Sequence, residues 1–447
     1  MNFVNRAREL EVLEKWWAKP GPGMGMVYGR RRVGKTALIR EFARDKRAII
    51  HLGTGVPLQE ELARLTRVMT VHVGRRGRAV VNWEEAIEMI AEAAQREPIL
   101  LVLDEFPELL ASDPHIEARL RAVWEEVLSA EAKLKVLLTG SAVRTMWSMT
   151  EARRPLYGRF DFFLLVHPFR PHEAALMLRD LKPAERAVAW GVCDGTPLYL
   201  SHWDQSAGIE QNIHDLLCTP DAFLYNEARQ VLLTDGVGGG LTKQVLSAIA
   251  LGKNRHSEIV DVVKGDRQVA RVLDDLERLR LVERVLPVTD DPRARTGRTT
   301  YRIADNFLAF WLAVVERNLQ DIDFGLSGEA AKAINRRIDD FMGSRYEEAF
   351  RDYLRRTDGH RVGPYWTRGG AQVEIDAVML DTDEVAIAVG ECKWQQKVSG
   401  AELRTKLLRA ARVLPNVLVE PEVIVCARDE VTEAERVRAV TAIDMFG

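Results

Sequence analysis

Apolar positions change period along this chain, and the changes mark out elements. Leu10, Leu13 and Trp17 recur at helical spacing, which predicts a first helix with Asn5 as its N-cap. Pro20-Gly21-Pro22-Gly23 turns the chain into a short apolar strand over 24–28. A helix over 37–44 follows, with Leu38, Ile39, Phe42 and Ala43 on one face. Residues 49–52 read as a strand, and 58–69 and 83–94 as helices. The runs at 99–103 and 136–138 are apolar without interruption, as expected of strands covered on both faces of a parallel sheet. A strand at 162–166 and a helix at 183–191 follow.

The pattern then turns helical. Residues 201–240 form a connector broken at Asp235-Gly236-Val237-Gly238-Gly239-Gly240, a hinge or a loop. Helices over 243–251, 258–264 (capped by His256-Ser257) and 267–279 (capped by Asp266) precede strands over 281–285 and 299–303. Three helices and a hairpin make a winged helix. The last stretch alternates: helix 339–354, strands 373–379 and 385–393, helix 401–413, strand 423–426.

At 447 residues the chain has length for about three domains. An apolar fraction of 47% with 29% charged residues describes an ordinary globular protein, and the net charge of −3 restricts any nucleic-acid contact to local patches. The four cysteines stand far apart, which supports neither a zinc site nor a disulfide framework and fits a reducing cytoplasm. No run approaches the ~18 apolar residues of a membrane span, so no membrane partner is expected.

Chemistry enters at Gly29-Arg30-Arg31-Arg32-Val33-Gly34-Lys35-Thr36, a complete G-x-x-x-x-G-K-[ST] motif between a strand and a helix that opens near Ala37. Its glycines let the backbone wrap a phosphate, while loop N–H groups and the helix N-terminus face negative charge. Lys35 is expected to reach the β- and γ-phosphates of ATP, and Thr36 to hold Mg²⁺. Asp104-Glu105 closes the first uninterrupted strand, at the end where such sheets bind ligands. Asp104 would support Mg²⁺, and Glu105 would orient or deprotonate the attacking water. Thr139 or Ser141 either senses the γ-phosphate from the next strand or forms a structural turn. Arg159 is a candidate γ-phosphate contact in cis or across a subunit interface, with Arg153 and Arg154 behind it.

These motifs resemble, in order, those of the archaeal-type ATPase family, a branch of the P-loop AAA+/STAND NTPases. The residues concerned are Phe3-Val4-Asn5-Arg6 with Glu9-Leu10, the phosphate loop, Leu103-Asp104-Glu105, Leu138-Thr139-Gly140-Ser141, Leu156-Tyr157-Gly158-Arg159 and Gly195-Thr196-Pro197-Leu198-Tyr199-Leu200. The resemblance covers about the first 200 residues. It implies a sensor strand at Thr139 and Ser141, a turn near the nucleotide that includes Pro197, and a helical lid after Arg170. The family's Gly-Gly opening of that turn is Asp194-Gly195 here.

In the winged helix, Arg267, Gln268 and Arg271 open the third helix and Arg293, Arg295 and Arg298 lie on the wing, available to DNA. Asp274, Asp275 and Glu277 on the same helix would repel it, and a docking module is the alternative. In the tail, Asp376 precedes Glu391-x-Lys393, whose two side chains share a strand face. Glu347 lies upstream on a helical stripe with Gly343, Phe350 and Leu354, and Glu348 is expected on the wet face. Asp376 and Glu391 would hold Mg²⁺, with Lys393 and Glu347 assisting attack on a phosphodiester. This resembles the PD-(D/E)xK nuclease superfold, although Ile375 stands where a proline often precedes the first acid. As a whole, the region looks like the domain of unknown function that often follows this ATPase type.

The expected fold is α/β: a P-loop core at 1–170, a helical lid and connector at 171–235, a winged helix at 236–320 and a restriction-endonuclease-like domain at 321–447. The expected protein is a cytoplasmic, ATP- and Mg²⁺-dependent switch or motor joined to a tail that binds or cleaves DNA. A homo-oligomer is one expected assembly. The alternatives are a regulatory ATPase with an inactive, partner-binding tail and a ring-shaped remodeller.

Overall fold

The computed structural model describes residues 3–73, 79–129, 132–234, 240–264, 268–293, 297–368 and 372–447. They fall into two units, Met1–Pro168 and Phe169–Gly447. Among the described residues no helix is long and apolar enough to cross a membrane.

In the first unit five strands, β1 (Gly23–Tyr28), β2 (Ala48–Leu52), β3 (Ile99–Asp104), β4 (Leu134–Gly140) and β5 (Phe162–Leu165), form a parallel sheet in the order β2-β3-β4-β1-β5. The uninterrupted apolar runs have a simple cause. Along β3, Ile99, Leu101 and Leu103 face a core shared with Met24, Met26 and Leu138. The intervening Leu100 and Val102 face a second core with Val27, Leu38 and Phe42. Each face is therefore dry, and every position is apolar until the strand reaches its carboxyl end. Helices Trp83–Ala94 and Ile116–Ser129 cover one face, and Ala7–Trp17 and Lys35–Phe42 the other. The N-cap of Ala7–Trp17 is Arg6, in the left-handed region at φ 69°, rather than Asn5.

In the second unit the chain runs through helices Pro183–Cys193, Pro197–Ser201, Ile209–Leu217 and Phe223–Thr234. Helices Gly240–Ala250, His256–Val262 and Val269–Arg278 then precede an antiparallel hairpin of β6 (Val282–Val285) and β7 (Thr300–Ile303). The third of these helices buries Val269, Leu273 and Leu276, the face its spacing predicts. The second is capped by Arg255, whose backbone N–H donates to Glu258 at 3.1 Å, so Ser257 lies inside the helix. The glycine run up to Gly239, the Asp266 cap, Arg267 and Arg295 lie outside the described residues.

A 21-residue helix, Ile338–Asp358, leads into a mixed sheet. Its strands are β8 (Arg361–Trp366), β9 (Glu374–Leu380), β10 (Ala386–Lys393), β12 (Val417–Ala427) and β14 (Val437–Val440), after the short strands β11 (Lys397–Val398) and β13 (Glu430–Val431) are set aside as a separate pair. The order is β14-β12-β10-β9-β8, antiparallel from β8 to β10 and parallel from β10 to β14. Helix Ile338–Asp358 packs one face. A Cβ at Gly390 would sit 3.0 Å from the Phe350 ring, so the bare glycine lets helix and sheet close. Helix Gly400–Ala411 covers the other face through Leu407 and Ala411.

Candidate functional site

The sheet order of the first unit puts β4 between β1 and β3, so three strand ends adjoin. The phosphate loop leaves β1 with Gly29 at φ 157°, Arg32 at φ 69° and Gly34 at φ 92°. At Gly29 a Cβ would lie 2.4 Å from the Val166 carbonyl, so this position accepts only glycine. Lys35 is buried, and its Nζ donates to the carbonyls of Gly29 and Arg30 at 2.9 and 3.0 Å. Burial pulls the ammonium below its ordinary value, against the opposing pull of Glu105 and Asp104. Arg31, Thr36 and Ala37 are exposed, and Val33 is buried in the second core.

The acids reach the same place. Thr36 Oγ1 donates to Asp104 Oδ2 at 3.1 Å, and Thr139 donates to Asp104 Oδ1. Ser141 donates to Glu105 Oε2 twice, from its backbone N–H at 2.9 Å and its hydroxyl at 2.8 Å. Glu105 itself lies in the left-handed region at φ 50° as the cap of helix Phe106–Ser112. Its conformation turns the carboxylate toward β4. Thr139 and Ser141 thus each hold one acid.

Arg6 adds a contact that its own residue type did not signal. It is buried, donates to the Val33 carbonyl at 2.8 Å and pairs with Glu9 at 2.9 Å, so the first helix braces the phosphate loop. The only clue was its place in the opening motif. Arg159 pairs with Glu125, and Arg154 with Glu117. Pro197 belongs to the second unit, where it opens helix Pro197–Ser201 after a turn in which the Gly195 carbonyl accepts the Phe169 N–H at 2.7 Å.

The second cluster forms on the mixed sheet. Gly390 pairs with Ala377 across β10 and β9, which sets Glu391 and Asp376 one residue beyond. Asp376 Oδ2 accepts the Cys392 N–H at 2.8 Å and lies 3.8 Å from Lys393 Nζ. Lys393 Nζ lies 2.7 Å from Glu391 Oε1, an oxygen also paired with Lys406 of helix Gly400–Ala411. Glu391 is 1% exposed, and its Oε2 is buried with no partner among the described residues. Burial and the neighbouring Glu391 push the Asp376 carboxyl up; burial would lower Lys393, but Glu391 and Asp376 hold it above its ordinary value. Glu347 lies 3.6 Å from Arg351, which also donates to the Asp376 carbonyl at 2.8 Å. Burial and Asp376 push the Glu347 carboxyl up to about 7. Among the described residues no three Asp, Glu, His or Cys side chains are gathered for a metal. A cation there would rest on Asp376 and Glu391 alone.

Two expectations for this region change. Glu348 is not on a wet face: it accepts from Arg302 at 2.7 Å, Arg351 at 3.2 Å and Arg355 at 3.4 Å, and these guanidiniums hold it charged against its burial, well below the usual carboxylate range. Arg298 is committed to Asp290 rather than offered to a phosphate. Gln268, Arg271 and Arg293 are exposed. Glu277 lies 3.7 Å from Arg284, which offsets part of its repulsive charge.

Residues 3–202 match a family described as an ATPase domain predominantly from Archaea, and residues 311–405 match one described as archaeal and bacterial proteins of unknown function. An uncharacterized protein of Methanocaldococcus jannaschii is 25% identical over 409 residues, 88% of each chain. An uncharacterized ATP-binding protein of that archaeon is 51% identical over 45 residues, 10% of this chain and 76% of that protein. The Walker-type ATPase of Pyrococcus abyssi shares the fold, with a TM-score of 0.54 at 20% identity over 70% of this chain and 96% of that one. The chain therefore carries an archaeal-type ATPase domain followed by a domain shared among archaeal and bacterial proteins of unknown function.

Proposed function

We propose that the first unit binds ATP with Mg²⁺ and hydrolyses it, and that its nucleotide state governs a DNA-binding tail with metal-dependent cleavage activity. The observation that carries the first half is the convergence of Lys35, Thr36, Asp104 and Glu105 at neighbouring strand ends. Lys35 and the loop amides from Gly29 to Ala37 would cradle the phosphates. Thr36 and Asp104 already share a hydrogen bond and would share Mg²⁺. One Glu105 oxygen takes both Ser141 bonds, which leaves the other to orient water. In the tail, Asp376 and the unpartnered oxygen of Glu391 would hold the cation, and Lys393 would position water or the phosphate. Gln268, Arg271 and Arg293 are the exposed DNA contacts this reading uses.

A second reading has support in one observation. Lys393 and Lys406 both close on Glu391, as a tail without metal would require for a buried carboxylate. That tail would be a binding module under an ATPase switch.

The test is a plasmid and single-strand cleavage assay with Mg²⁺ or Mn²⁺, with and without ATP, run beside an ATPase assay. Lys35→Ala is expected to lower ATP turnover by about a hundredfold or more, because it removes a charged donor to the transferred phosphoryl group. Asp376→Ala is expected to abolish cleavage and leave ATP turnover intact. Wild-type protein that hydrolyses ATP and never cuts DNA would favour the binding-module reading.

A further inference from the structure

Within the second unit, a cavity of about 420 Å³ opens between the three-helix module with its hairpin and helix Ile338–Asp358. Five arginines line it: Arg302, Arg317, Arg337, Arg345 and Arg351. Among the described residues, two carboxylates, Asp340 and Glu347, join them. Two of the arginines are committed, Arg302 to Glu283 and Glu348, and Arg351 to Glu347 and Glu348. The other three have no carboxylate partner among the described residues. Arg317 and Arg337 are exposed at the rim.

Arg345 is the telling member. It is 8% exposed, and its hydrogen bonds go to neutral acceptors: the Ile303 carbonyl at 3.3 Å, Asn306 Oδ1 at 3.1 Å and Ser344 Oγ at 3.4 Å. Burial and the nearby Arg302 lower its guanidinium to about 10, which still leaves it charged at neutral pH. Glu348 and Asp194 attract this guanidinium without pairing with it, and a buried charge so incompletely compensated is costly, so an anion in the cavity would relieve it. Guanidinium geometry suits phosphate oxygens in particular. Phe341 and Tyr301 also line the space, apolar surface suited to a base or sugar beside the phosphate. The volume lies at the lower end of the range for small-ligand pockets, which is the scale of one nucleotide.

We infer that this cleft is a phosphate-binding site for a single nucleotide unit, either one link of a nucleic-acid strand or a free nucleotide. It deepens the proposed DNA-binding role of the tail by naming where a backbone phosphate seats, but it does not depend on cleavage. The Glu347 carboxyl shared by cleft and acid cluster would bring a bound strand alongside the candidate metal site.

Arginine-specific modification with phenylglyoxal tests this on the full chain, read peptide by peptide by mass spectrometry. Peptides carrying Arg317 and Arg337 are separate from those of the phosphate loop, so the two phosphate sites are told apart. The probes are pyrophosphate, AMP and a short single-stranded oligonucleotide. Protection of Arg317 and Arg337 by at least severalfold, with exposed Arg179 unchanged, is the expected result. Protection by all three probes assigns a strand site that also takes its components, and protection by pyrophosphate and AMP alone assigns a free-nucleotide site. No protection by any probe overturns the inference. Arg317→Ala with Arg337→Ala, both at the exposed rim, should also reduce the slope of oligonucleotide affinity against salt, on logarithmic axes, by about one, as expected for the loss of one seated phosphate. Oligonucleotide binding with an unchanged salt slope and unprotected rim arginines would sink the cleft while sparing the DNA-binding tail. Protection without any DNA cleavage would do the reverse to the nuclease reading.

Discussion

Asp104 and Asp376 are both buried strand carboxylates, 3% and 7% exposed, yet the groups around them differ in kind. In the first unit the acids are satisfied by neutral donors: Thr36 and Thr139 for Asp104, Ser141 for Glu105. Hydroxyls and amides fill lone pairs without cancelling charge, and the nearby Lys35 ammonium, although attracted by both acids, is bonded to the Gly29 and Arg30 carbonyls instead. In the second unit the acids face ammonium groups: Lys393 bridges Asp376 and Glu391, and Lys406 adds a second positive charge at Glu391. A cation entering there must displace or share with lysine. The first site holds its acids through hydroxyls and a backbone amide, whereas the second is a closed ion-pair cluster that opens only if something outcompetes its lysines.

The strongest way to break this contrast is to remove the lysines. Lys393→Met with Lys406→Met leaves Glu391 buried and uncompensated, which is expected to destabilise the protein by about 3 kcal/mol in metal-free buffer. The midpoint of urea denaturation measures the loss. Added Mg²⁺ or Mn²⁺ should restore part of it, since the cluster would then resemble the hydroxyl-lined acids of the first unit. A double variant as stable as wild type without metal would show that the lysines are incidental and that the two sites do not differ as described.

Proton linkage sharpens the contrast. Burial and Asp376 raise the Glu347 carboxyl from an ordinary 4.5 to about 7. Between those values the folded protein binds a proton that the unfolded chain has released. Stability on this account falls as pH rises through the window and stays lowered above it. Glu347→Gln mimics the protonated form, so it should match wild type near pH 4 and exceed it near pH 8. The gain is about 1 kcal/mol once the partial exposure of Glu347 is allowed for. Denaturation at the two pH values reads it, and a variant less stable than wild type at pH 8 would mean that Glu347 is held by a partner that favours its charge.

The first site was largely legible because its parts are contiguous. A glycine loop between strand and helix, and an apolar strand ending in two acids, are local patterns, and two dry cores explain why the runs are unbroken. In the tail the helices and the strand after the β9–β10 hairpin were legible from spacing, but of the acid cluster only the hairpin residues and Glu347 were. Lys406 comes from a later helix, and no local spacing links it to Glu391. Glu348 was misplaced because a helical periodicity cannot see that β7 brings Arg302 to that face. The edge strands β8 and β14 escaped notice for related reasons. Pro364 interrupts the first, which an edge tolerates, and β14 has only four residues, Val437–Val440.

The finest test lies between Glu105 and Ser141. One carboxylate oxygen takes both bonds from Ser141, so the serine fixes the orientation of the acid while leaving its other oxygen unclaimed. Ser141→Ala deletes the hydroxyl and retains the backbone N–H. A hydrogen bond to a charged group contributes roughly 1.5 kcal/mol or more, and the remaining bond keeps part of that orientation. The expected result is a fall in kcat of about three- to tenfold with KM unchanged, because nucleotide contacts through Lys35 are untouched and only the aim of the water-orienting acid is loosened. A rise in kcat would mean the opposite: that Ser141 holds Glu105 away from its water, and that the neutral partners of the first site restrain its acid as the lysines restrain the second. A change confined to KM would place Ser141 at the nucleotide itself, acting on the γ-phosphate rather than through Glu105.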